Sequence, residues 1–530
     1  MIIPRPQNMR LFDEKIKVEG LNLCGDNADF AERYLAYFLP ISVTHNSENV
    51  NVMLECESGF SAGGYKLITG SPTEIYFSEK EGLRNALSSL VQLIIKKEDG
   101  YYITKAETED FSPCSYRSVM IDLARGLPPI VRLKEDLKRL ALAKCNNVHF
   151  HLMDEMGICF ESDVYKGTEN IRGTKPYTKE EMRDIVEFCH TLGIKVLPEI
   201  EIPAHAGFLL NIRPELKCKT DIENQSVWTV CAGSDKTYEF YDALIAEIAS
   251  IFPDEYIHIG GDELYFGDFP EWNDFCHWEE CRTCRSVMEK NAMRDKWDMY
   301  NYMVTKMHGI VKRHGKKMMM WNDQIDLNRP IAVPRDIVME FWRVSDKNRG
   351  PREGCTYERL TENFSVINAD YTRNYIDCEN YASPEKASTY NYLAYPETKH
   401  AENVKGGEIC AWEYGNPAVD HYALSFACST AVMLDKLWNT ADVLYTVDYR
   451  RALTRLVLGC DTPDNYDMTE LFGNVIPPRT SGKKTYLDKG AEPDAEFYPR
   501  HIKALLQIKN TYSPEYLKKL TESIEEQQNV

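Results

Sequence analysis

Two acids stand side by side in "YIHIGGDELYF", residues 256 to 266, where a short apolar run ends. Asp262 and Glu263 follow a pair of glycines and precede "LYF". Carboxyl groups that cleave a glycosidic bond with an enzyme-borne nucleophile flank that bond about 5–5.5 Å apart, and the inverting route needs a wider gap for water. Consecutive strand residues point to opposite faces, so these two acids are not expected to straddle one bond. One can reach a leaving oxygen while its neighbour reaches a substituent nearby on the same ring. That division suits a substrate carrying its own nucleophile, such as a 2-acetamido group.

Two other patterns suggest metal chemistry. "HFH", His149 to His151, copies the H-x-H pair of a metal-dependent hydrolase. Such an enzyme needs further histidines at later strand ends, and those ends carry tryptophans and acids instead. "CHWEECRTC" brings Cys276, His277, Cys281 and Cys284 close in sequence. Its single C-x-x-C lacks a second pair at zinc-finger spacing. These are read as loop thiols, so neither a metal nor a cofactor is expected.

The elements that must position the acids are legible as a rhythm between residue 115 and about 440. Short apolar runs recur: "SVMIDL" (118–123), "NNVHFHLMD" (146–154), "KVLPEIEI" (195–202), "YIHIGGDE" (256–263), "KMMMWND" (317–323), "IVMEFWR" (337–343), "FSVINADY" (364–371) and "GEICAWE" (407–413). Most are separated by stretches of helical length, such as "TKEEMRDIVEFCHTLG". Eight buried strands with crossovers predict an α/β protein built on a (β/α)8 TIM-type barrel. The proline-broken "QIDLNRPIAVPRD" predicts one unit reduced to a loop. Polar and aromatic residues gather at the C-terminal ends of the runs, which in such a barrel form the active-site face. The chain thus divides into a small N-terminal α/β domain (1–113), the barrel (114–440) and a helical C-terminal extension (441–530).

Bulk properties narrow the partners. A length of 530 residues exceeds one ordinary core. The net charge of −20 speaks against nucleic acid, since nothing would neutralise phosphates. No apolar run reaches the ~18 residues of a membrane span. "MIIPRPQNMRLFDEK" lacks the apolar core of a secretory signal, and the sixteen cysteines are scattered. Reduced thiols and a cytoplasmic location are therefore expected.

Six motifs, in order, resemble glycoside hydrolase family 20, the β-N-acetylhexosaminidases: "YRSVMIDLARGLPP", "HFHLMDEMG", "KVLPEIEIPAHA", "HIGGDE", "MMMWND" and "YID". The resemblance implies a retaining exo-enzyme that removes terminal β-linked N-acetylhexosamine, gluco- or galacto-configured, from glycans through an oxazolinium intermediate. It makes Glu263 the general acid/base and Asp262 the residue that orients the acetamide and balances the charge of the closing ring. Tyr375 would hold the acetamide carbonyl. Trp321, Trp342 and Trp412 would wall the sugar, and Arg117 would bind the 3- and 4-hydroxyls. Asp377 and Glu413 would take the 4- and 6-hydroxyls, and Asp154 with His205 would tune the acid. His149 is read as a core histidine, His258 as packing, and Asp122 with Arg125 as an ion pair beneath the site. The chain departs from the family at Ile158 and Cys159, at Glu201 and Ala204, and in the adjoining Trp412 and Glu413. A non-catalytic glycan-binding protein remains an alternative, against which both acids speak.

Overall fold

The computed structural model describes residues 1–462 except 47, 167–174, 221–227, 265–275, 323, 343–354, 377–383 and 415–422. Eight strands close into a parallel barrel: β1 (Tyr116–Asp122), β2 (Asn147–His151), β3 (Lys195–Glu199), β4 (Tyr256–His258), β5 (Lys317–Trp321), β6 (Val338–Phe341), β7 (Ser365–Asn368) and β8 (Val404–Ala411). Each pairs with the next, and β8 returns to β1. The register sets Asp122, His151, Glu199 and His258 level at one end.

Helices follow the amphipathic stretches. Lys179–Thr191 begins with a capping box of Thr178 and Glu181, and buries Met182, Ile185, Val186 and Cys189 along one side. Asp295 caps Lys296–Arg313, its side chain accepting from the backbone N–H groups of Trp297 and Asp298. Among the described residues no helix lies between β5 and β6, as the prolines there require. The strands stop earlier than the apolar runs suggest. β3 ends at Glu199, ahead of Pro203, and β4 at His258, because Gly260 and Gly261 turn the chain with φ of 66° and 94°.

The barrel interior departs from an all-aliphatic filling. His149, Glu199, His258, Glu340 and Glu408 are fully buried inside it. His149 Nε2 lies 3.1 Å from Glu199 Oε2, and Nδ1 lies 2.9 Å from Glu408 Oε1. His258 Nδ1 lies 2.8 Å from Glu199 Oε1. Acid and imidazole alternate from Glu408 through His149 and Glu199 to His258, so His149 faces two carboxylates. Burial lowers His258, and burial beside Glu408 raises Glu340 well above the usual carboxylate range.

The N-terminal region forms one eight-stranded mixed sheet with helices Ala28–Ala36 and Lys80–Leu93. The second helix also touches the barrel: Arg84 Nη1 donates to Cys145 O (2.7 Å) and Ser88 Oγ to Ala141 O (3.2 Å). At the other end, Val447–Leu458 buries Tyr449, Leu453 and Leu456 in the core shared with the barrel. The start of the C-terminal extension is thus part of the barrel's packing; residues 463–530 lie outside the described set.

Arg117 is not at the pocket. It occupies the N-terminal end of β1, opposite the acids, and its guanidinium donates to Glu81 Oε1 (2.6 Å), Cys114 O (2.6 Å) and Lys144 O (3.0 Å). It joins the N-terminal region to the barrel floor. Arg117→Ala should therefore cost on the order of 2–3 kcal/mol, from charge-assisted bonds lost at a buried site. Denaturant unfolding should show that loss while KM stays unchanged; a raised KM at full stability would return Arg117 to the site.

Candidate active site

The acid loop leaves β4 through two glycines that no other residue replaces easily. A Cβ on Gly260 would sit 1.9 Å from Glu201 Oε2, and one on Gly261 would sit 2.9 Å from the Tyr300 hydroxyl. Glu263 itself has φ of 47°, as do His205 (51°) and Glu413 (53°) in the same left-handed region. Strained backbone of this kind persists where its surroundings over-determine it. Because Asp262 and Glu263 lie beyond the strand, the opposite-face expectation fails. Asp262 Oδ2 and Glu263 Oε2 each lie 3.4 Å from His205 Nε2, so both acids converge on one imidazole.

His205 is the hub of this arrangement, and its second partner differs from the expected one. Nδ1 lies 2.7 Å from Glu155 Oε2, so the pair is Glu155–His205 and not Asp154–His205. Asp154 instead faces Arg125, whose Nε is 2.7 Å from Oδ2; Glu155 Oε1 is 3.3 Å from the same nitrogen. Burial works against a charged His205, yet the carboxylates of Asp262 and Glu155 outweigh it and hold the ring protonated well above its usual range. Burial likewise raises Asp262, but His205 more than compensates and brings it below the ordinary carboxylate value. Burial, with Glu155 adding to it, pushes Asp154 up to about 7. Arg125 also lies over the Trp412 ring, 5.0 Å from its centre. The arginine at the acid end of the barrel is thus Arg125, and its expected ion pair with Asp122 is also present, Nη1 lying 3.4 Å from Asp122 Oδ2.

The aromatic residues come together as expected. Trp321, Trp342 and Tyr375 form one buried cluster with Met120, Ala369 and Cys410, and Trp412 packs against it. Trp342 stacks on Tyr375 at 6.0 Å and 11°, and Trp412 meets Tyr375 edge-on at 5.8 Å. Trp321 is the floor: it is fully buried, and its Nε1 donates to Glu199 Oε1 (2.6 Å). Glu413 is buried at the same rim, its backbone N–H bonded to Asp122 Oδ2 at 2.9 Å. Asp377 lies outside the described residues.

Sequence reasoning missed Glu155 and Trp228. Glu155 was visible as the second acid of "HLMDEMG". Trp228 carries no motif, yet its ring lies 4.5 Å from His205 and its indole N–H donates to Glu263 O at 3.1 Å.

The H-x-H pair does not converge as metal ligands. Both nitrogens of His149 face Glu199 and Glu408, and both of His151 face Asp122 and Glu201. Burial lowers His149, but Glu408 and Glu199 reverse this and push it up to about 9. A cavity of about 500 Å³ exists at the opposite barrel end, lined by Glu81, Arg84, Tyr116 and Lys195 among others, remote from both acids. Acids and aromatic residues meet at the C-terminal face, so the site is placed there.

A closed parallel barrel with an acid loop and an aromatic-walled rim defines a glycoside hydrolase barrel. Residues 114–421 match the family described as glycosyl hydrolase family 20, catalytic domain, and the chain belongs to that family. It is 26% identical over 400 residues to β-hexosaminidase subunit alpha of Bos taurus, covering 70% of this chain and 72% of that one. It is 29% identical over 256 residues to a β-hexosaminidase of Porphyromonas gingivalis, covering 45% of this chain but only 31% of the relative. Among solved structures, a β-N-acetylhexosaminidase of Bacteroides fragilis superposes with a TM-score of 0.73 at 21% identity, covering 86% and 94% of the two chains. A Vibrio harveyi exo β-N-acetylglucosaminidase in complex with N-acetylglucosamine gives 0.72 at 20% identity, covering 87% and 78%. The two structural likenesses span most of this chain and show a shared fold.

Proposed function

We propose that this chain is a retaining exo-β-N-acetylhexosaminidase that cleaves terminal β-linked N-acetylhexosamine with the substrate's own acetamide as nucleophile. The observation that carries the reading is Asp262. Its Oδ2 faces the protonated His205, while Oδ1 is buried and, among the described residues, accepts no hydrogen bond. A buried carboxylate oxygen left open is costly, and an acetamide N–H satisfies it.

The remaining roles follow from placement. Glu263, beside Asp262, protonates the leaving oxygen and then activates water. Tyr375, framed by Trp342 and Trp412, holds the acetamide carbonyl in line for attack. Arg125 takes the ring hydroxyls, with Asp154 beside it. Glu413 and Asp377 are assigned to the 4- and 6-hydroxyls. The relatives named above, called β-hexosaminidases, support the same substrate class. No disulfide joins any of the described cysteines, which supports a reducing, cytoplasmic setting.

An aryl β-N-acetylglucosaminide and its galacto epimer test the activity directly. Release of the phenol from at least one, with none from the aryl β-glucoside lacking the acetamide, is the expected result. Equal rates with and without the acetamide would overturn the reading, and no release at all would favour a glycan-binding protein.

A further inference from the structure

The connections that follow β3 and β4 meet at a second cluster, built from residues far apart in sequence. Cys218, Cys231, Cys281 and Cys284 are all buried, and their sulfurs lie within 4.8 Å of one another. Cys276 and His277, grouped with the last two by sequence alone, are not members. Cys231 Sγ is 3.7 Å from Cys281 Sγ and 3.6 Å from Cys284 Sγ. A disulfide would close to about 2.05 Å. Four thiolates around zinc at about 2.3 Å place tetrahedral sulfur–sulfur edges at about 3.8 Å. The observed spacing fits the second geometry.

Two further features distinguish the cluster from four thiols packed as small apolar groups. Backbone N–H groups point at sulfur: Lys219 N donates to Cys281 Sγ and Gly233 N to Cys284 Sγ, both at 3.3 Å. Such donors disperse thiolate charge around a metal. The backbone is also drawn in tightly, since a Cβ on Gly233 would lie 2.6 Å from Cys284 Cα.

We propose that these four cysteines bind one zinc ion as a closed tetrathiolate. Binding releases the four thiol protons and leaves no open position for water or substrate, so the ion is structural. Its position gives it work at a distance. The segment from Cys218 to Cys231 carries Trp228, which touches His205 and the Glu263 carbonyl. Val230 N donates to Pro203 O (2.9 Å), and Trp278 Nε1 donates to Val230 O (2.9 Å). The zinc thus clamps the His205 connection to the acid-loop connection.

Metal content is read without any substrate, so its outcome is independent of the hexosaminidase reading. Protein purified in chelator-free buffer should hold about one zinc per chain by plasma mass spectrometry, as a single tetrathiolate site requires. Cys281→Ser/Cys284→Ser should lose it, while Cys276→Ser should keep it. On the unaltered chain, growth with cobalt should give the visible ligand-field bands and sulfur-to-cobalt charge transfer of a tetrahedral tetrathiolate. Metal-free protein by native mass spectrometry, a disulfide within the quartet, or zinc retained by the double variant would each overturn the proposal.

Discussion

Glu263→Gln is expected to reduce hydrolysis of natural β-linked glycans by about 10²- to 10⁴-fold, the usual range for losing a positioned general acid. That corresponds to about 3–5 kcal/mol of barrier. The loss should depend on the leaving group. A sugar alkoxide needs a proton as the bond breaks, whereas a strongly acidic phenol leaves without one. Bond breaking in an aryl substrate with such a phenol should therefore be much less impaired. The second half-reaction still needs a base to activate water, so exogenous azide should restore turnover of that substrate by intercepting the intermediate. Pre-steady-state phenol release, measured across phenols of graded acidity, reads the difference. Equal losses for every leaving group would remove Glu263 from the acid role.

What the sequence disclosed and what it concealed divide along a physical line. Period and run length are local properties, so the barrel strands and the helix Lys179–Thr191 could be read directly. The rim aromatics were legible for the same reason, since each follows an apolar run. Arg117 and Arg125 share the motif "YRSVMIDLAR", and chain direction alone sets Arg117 at the start of the strand and Arg125 after it, at the active-site end. The family resemblance, not the strand pattern, draws Arg117 to the pocket. The adjacent acids of "DE" at 154 and 155 posed a similar choice. It is settled by the left-handed His205, whose Nδ1 selects Glu155. Trp228 and the Cys218–Cys231 half of the thiol cluster reach their places through a long connection after β3. No local spacing records that contact.

Asp262→Asn should cost about 10²- to 10³-fold in kcat, the range for removing one preorganised group from a developing charge. Both acids face His205 Nε2, an arrangement that sets them together on one side rather than flanking a scissile bond. On the proposed reading the nucleophile then belongs to the substrate. If the acetamide oxygen attacks the anomeric carbon, its electron density sets the barrier. Replacing the acetyl hydrogens by one, two and three fluorines should slow hydrolysis stepwise, each tenfold loss representing about 1.4 kcal/mol. As the oxazolinium ring closes, positive charge develops at the nitrogen that Asp262 Oδ1 is placed to meet. His205 keeps Asp262 ionised below the ordinary carboxylate range, so the balancing charge is present throughout the usual assay pH. Neutral Asn keeps the shape and loses the charge, and its loss should appear in kcat more than in KM. Two successive inversions leave the released sugar in the β configuration, which proton NMR reads before mutarotation. A flat response to fluorination would place the nucleophile on the protein, and an α product would mean direct attack by water; either would overturn the reading of the paired acids.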